Sequence, residues 1–96
     1  MVMANIKASK KQLIEQYKNI YSVPYCSIEG VDDNFTFWQS RIKERLNLDL
    51  LPIRYYNKGI YGWNFTAYPT SNGDLFICSY YRNIPSNAQD ITEKLK

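Results

Sequence analysis

The apolar residues of this chain change their period near residue 51. Before it they recur at three- and four-residue spacing; from Leu51 to Arg82 they alternate with polar residues in short runs separated by turn formers. The first pattern lays an apolar stripe along a helix, and the second gives a strand one buried face. Such a change restricts the chain to helices packed on antiparallel strands. With 96 residues there is room for one domain and one sheet.

In the first half, Ser9 stands three residues before Gln12, the spacing of a capping box, in which each side chain satisfies an exposed N–H near the helix start. Leu13, Ile14, Tyr17, Ile20 and Tyr21 then continue at helical spacing. The pattern predicts a helix from Ser9 up to Pro24, which disfavours helical geometry in the residue before it. Residues 25–33, with Gly30 and paired acids, read as a loop. A second helix is predicted over Asn34 to Leu46, with Phe35, Trp38, Ile42 and Leu46 as its buried stripe and a basic outer face of Arg41, Lys43 and Arg45.

In the second half, strands are predicted at Leu51–Tyr56, Ile60–Tyr68 and Leu75–Arg82. Gly59 and Asn72-Gly73 supply the positive φ that tight hairpins need. After Pro85, Ser86 is placed to cap a short final helix with Ala88, Ile91 and Leu95 on one face. The expected fold class is α+β: two N-terminal helices, a three-stranded antiparallel β-meander and a short C-terminal helix, ααβββα. Residues 1–96 form one domain, frayed over 1–8 and 93–96.

The absence of His removes Ser-His-Asp and Cys-His catalysis, His-ligated metals and an imidazole pH switch. Cys26 and Cys78 have neither zinc-ligand nor redox spacing, and read as reduced, buried thiols. The acids Glu29, Asp32, Asp33 and Asp49 lack the phosphate-binding loop that would go with a magnesium site; Asp32 and Asp33 suit a helix start. With no secretory leader and no membrane-spanning run, the chain is expected in the cytoplasm, without metal or cofactor. The net charge of +3 permits a nucleic-acid partner without requiring one.

The aromatic content, nine Tyr, four Phe and two Trp, is the most informative entry. Alternation puts Tyr61, Trp63, Phe65 and Ala67 on one face of the middle strand, together with Leu51, Ile53 and Tyr55 of the first. If Leu75 and Ile77 join them, the opposite face gathers Arg54, Tyr56, Asn64, Thr66, Tyr68, Phe76, Tyr80 and Arg82. Tyr and Arg on one surface suit a protein interface, or stacking on unpaired bases with Arg at phosphate. The competing reading is packing, with the last helix folded over the same rings.

The candidate partner-binding residues are therefore Arg54, Tyr56, Tyr68, Tyr80 and Arg82 on the sheet, Arg41 and Arg45 on the second helix, and Lys58 at a hairpin tip. The leading expectation is a non-enzymatic interaction protein that binds and inhibits a protein machine. The Asn-, Ile-, Lys- and Tyr-rich composition fits a phage or mobile element, acting on a host immunity nuclease of the CRISPR type. The first alternative is a DNA- or RNA-binding regulator using the same surface. The second follows from two helices and a meander bearing Arg54, Lys58, Tyr80, Tyr81 and Arg82, which resembles the layout of small bacterial toxin ribonucleases that work without metal. That layout opens with a strand before the first helix, which the sequence pattern does not show.

Overall fold

A computed structural model of the chain describes residues 4–24, 34–59, 62–79 and 84–96. In chain order the elements are β1 (Ala4–Lys7), α1 (Lys10–Gln16), β2 (Ile20–Val23), α2 (Asn34–Leu46), β3 (Ile53–Gly59), β4 (Gly62–Pro69), β5 (Leu75–Ser79) and β6 (Gln89–Asp90), followed by a 3₁₀ turn (Thr92–Leu95). The strands form one six-stranded mixed sheet in the order β1-β3-β4-β5-β2-β6.

The expected α+β class holds, but the ααβββα arrangement does not. The antiparallel β3-β4-β5 meander is present, with Tyr55 opposite Ala67 and Tyr68 opposite Phe76. It is extended on both sides by strands pairing in parallel, β1 on β3 and β2 on β5, with β6 beyond β2. The long first helix expected over residues 9–23 is divided. α1 ends at Gln16, Tyr17 is already extended, and Ile20–Val23 runs as a strand. Ile, Tyr and Val are better suited to a pleated, buried surface than to a helix. As a strand this segment gains a full ladder to Leu75–Cys78, whereas a helix would bury one stripe only.

Other differences are local. Ser9 is the N-cap of α1 but makes no side-chain capping bond, so the capping box is not formed. The segment after Pro85 is a two-residue strand and a 3₁₀ turn in place of a helix. Ile91 is the N-cap of that turn, and Asp90 just before it accepts at Oδ1 from the Thr92 N–H at 2.9 Å and the Thr92 hydroxyl at 2.5 Å. Residues 4–7 are held in a strand instead of fraying. By contrast α2 has the expected bounds, and it ends at Asn47, whose φ of 56° is the left-handed conformation Asn tolerates at a helix end.

The topology places a helix on each face. β1 to β2 and β2 to β3 are parallel crossovers that travel in opposite directions across the sheet. Since such crossovers are right-handed, their helices fall on opposite sides. Two cores follow. On the α1 side Leu13, Ile20, Phe65, Ala67, Leu75 and Ile77 pack together; on the α2 side Trp38, Ile42, Tyr68, Phe76 and Cys78 pack with Ile91 and Leu95 of the C-terminal segment. No helix among the described residues is long and apolar enough to cross a membrane.

Candidate functional site

The alternation expected for the meander is realised. Leu75 and Ile77 share a core with Phe65 and Ala67, so Tyr68 and Phe76 lie on the opposite face with Cys78. That face is not open. α2 lies across it, with the Trp38 ring 5.4 Å from Phe76 and Phe35 5.7 Å from Tyr68. Tyr68 is 0% exposed and Phe76 1%, so these rings are core residues and offer no surface platform. The cover comes from α2 together with the C-terminal turn, because β2 occupies residues otherwise read as helix and sends α2 to this side.

The remaining candidates divide. Arg54 and Tyr56 are half-buried on β3, and Tyr56 pairs with the buried Thr66. Arg41, on α2, is half-buried; its Nη1 donates to the Leu95 carbonyl at 3.0 Å and its guanidinium carbon sits 5.4 Å from the Phe37 ring centre. Arg45 is exposed near the end of α2, where positive charge complements the helix dipole. Its neighbour Lys43 is paired with Asp49 at 3.1 Å. Lys58 has its backbone in β3 opposite Trp63, and its side chain lies outside the described residues. Tyr80, Tyr81 and Arg82 also lie outside them, as do residues 25–33 with Cys26. The structure thus gathers Arg54, Tyr56 and Tyr68 on one face, with Tyr68 fully covered and the other two half-buried, and leaves Arg45 exposed on α2.

Comparison with known proteins finds no matching family model, curated protein or solved structure.

Two surfaces that the sequence pattern did not single out carry more than the expected platform. The first is β1, at the sheet edge, exposed at all four of its positions. Ile6, 43% exposed, is the one exposed large hydrophobic side chain among the described residues. The Ala4 N–H donates to the Pro52 carbonyl at 3.2 Å and the Ala8 N–H to the Tyr56 carbonyl at 3.0 Å. Main-chain groups alternate in direction along a strand, so Asn5 and Lys7 turn theirs away from β3, toward solvent. Lys7 and Lys11 are exposed and Lys10 half-buried, so this edge is flanked by positive charge. Burial holds the Lys10 ammonium below its ordinary pKa.

The second is a cleft of about 230 Å³ beside the N-terminal half of α2, bounded among the described residues by Phe37, Trp38 and Arg41, the end of β2 at Val23 and Pro24, and the C-terminal turn. Among the described residues, no group of three His, Cys, Asp or Glu side chains is arranged to hold a metal ion. The pattern could show neither surface. An edge exists only once the strand order is set, and the cleft joins segments more than 50 positions apart.

Proposed function

We propose that this chain is a non-enzymatic interaction protein of the cytoplasm that takes an extended segment of a protein partner alongside β1, inhibiting the machine to which that partner belongs. The observation that carries this reading is the outer edge of β1, with which no other described strand pairs. Its outward N–H and C=O groups at Asn5 and Lys7 are the kind that pair with an added strand, and Ile6 gives that strand an apolar contact. Such an edge matches the repeating donors and acceptors of a peptide main chain, and it carries no exposed aromatic ring on which a base could stack. The exposed Lys7 and Lys11 side chains favour an acidic segment.

The test uses Asn5→Pro. Proline removes the outward N–H of an edge residue without touching the β1–β3 ladder, and edge strands accept it. With the wild-type protein and this variant as baits in a host lysate, the reading expects a partner retained by the first and lost by the second, at unchanged melting temperature. An identical partner list for both overturns it. A partner that is nucleic acid, seen as binding to labelled duplex or single-stranded oligonucleotide that falls steeply with salt, would favour the regulator reading instead.

The ribonuclease reading gains the leading strand it asks for, since β1 precedes α1, but β2 stands between the two helices where that layout has none. RNA cleavage in EDTA that is lost in Arg54→Ala would support it.

A further inference from the structure

We propose that the cleft beside the N-terminal half of α2 is a binding site for a small organic anion, a carboxylate on an aromatic body. It is separate from the β1 edge and does not depend on what docks there. Phe37 and Trp38 meet edge to face, with ring centres 5.0 Å apart and planes at 86°, so the wall presents a ring face and a ring edge at a right angle. A flat apolar body can stack on one and abut the other. Val23 and Leu95, both buried, close the apolar side.

The charge of the lining decides the ligand's sign. Among the described residues that bound the cleft, the charged side chains are those of Arg41 and Lys96, and both are cations. Arg41 is held in place by Phe37 and by the Leu95 carbonyl, which takes one of the five N–H donors of a guanidinium and leaves others for a carboxylate. Lys96 pairs with Glu93 at 3.0 Å, but both side chains are largely exposed. Such a pair is worth little and yields readily to a better acceptor.

Size narrows the class further. The cleft has a volume of about 230 Å³. That is the scale of a one- or two-ring acid, below the roughly 300–1,000 Å³ of common ligand pockets. Water leaving an aromatic wall supplies the affinity, and the two cations supply the preference for an acid over its neutral analogue.

The probes are 1-naphthoate and its neutral counterpart 1-naphthamide, titrated against ¹⁵N-labelled protein while the indole N–H signals are followed, with Trp63→Phe identifying that of Trp38. The expected result is a saturable shift of the Trp38 signal, an affinity for the acid about tenfold above that for the amide, and a loss of most of that preference in Lys96→Glu. Lys96 is exposed, so this variant keeps the fold, and amide binding serves as the internal control. Equal affinity for acid and amide, no saturable shift at low-millimolar probe, or a shift confined to Trp63 overturns the proposal.

Discussion

Arg41 on α2 donates from Nη1 to the main-chain carbonyl of Leu95 at 3.0 Å, a bond that joins residues 54 positions apart. It ties the second helix to the C-terminal turn while the same guanidinium rests on Phe37. A residue that reads in sequence as part of a solvated basic face is therefore a strut between two elements of the α2-side core.

Replacing that strut separates it from its neighbour. Arg41→Met keeps an apolar stem over Phe37 but leaves the Leu95 carbonyl without its charged donor, at an expected cost of about 1–2 kcal/mol in urea unfolding. Lys43→Met breaks only the exposed pair with Asp49 and should cost less than about 1 kcal/mol.

The burial of the sheet aromatics is tested in the same way. Phe76→Ala and Tyr68→Ala should each destabilise by about 3–5 kcal/mol, as large core deletions do. An exposed platform would tolerate either change within about 0.5 kcal/mol. Against a total of about 5–15 kcal/mol for a small domain, the difference is visible as partial unfolding.

Alkaline pH reports on the other face. Burial, then the hydrogen bond and the charge of Tyr55, push the Tyr17 phenol up to about 12 from its ordinary value near 10. The folded state then keeps a proton that the unfolded chain releases, so this contribution is whole below about pH 10 and is lost as pH rises toward 12. Melting temperatures between pH 9 and pH 12 should fall more steeply for the wild type than for Tyr17→Phe.

The hairpin between β4 and β5 turns on Gly73, whose φ is 86°. A Cβ there would meet nothing within 4 Å, so only the backbone conformation opposes substitution. Gly73→Ala should cost about 1 kcal/mol and Gly73→Asn less, since Asn enters the left-handed region more easily. Thermal unfolding of the two variants gives the ranking.

Much of the meander was legible because its signals are local. The alternation of Phe65 and Ala67 against Tyr68, and of Leu75 and Ile77 against Phe76 and Cys78, follows from the strand period within each strand, but which set of β5 joins which set of β4 is decided by the register of the folded sheet. Helix α2 carries its own apolar stripe and its own end at Asn47. β1 and β2 have four residues each, too short for a periodic signal, and Ile20 and Tyr21 fit a helical stripe after Leu13 and Tyr17 as well as they fit a strand. The candidate residues shared this limit. Tyr68 could be placed on a face, but nothing within its own strand says what covers that face.

The sequence by itself determined which residues alternate along each of three strands, where one helix begins and ends, and which chemistries a chain without His must forgo. Only the tertiary structure decided that the sheet has six strands and two covered faces. A short strand becomes one by hydrogen bonding to a neighbour, and for Ile20–Val23 that neighbour is Leu75–Cys78, 55 positions along the chain. Once β2 pairs there, α2 must cross to the opposite face from α1. Tyr68 and Phe76 become core residues, and among the described residues the groups proposed to meet partners are the main chain of β1 and the cleft beside Arg41.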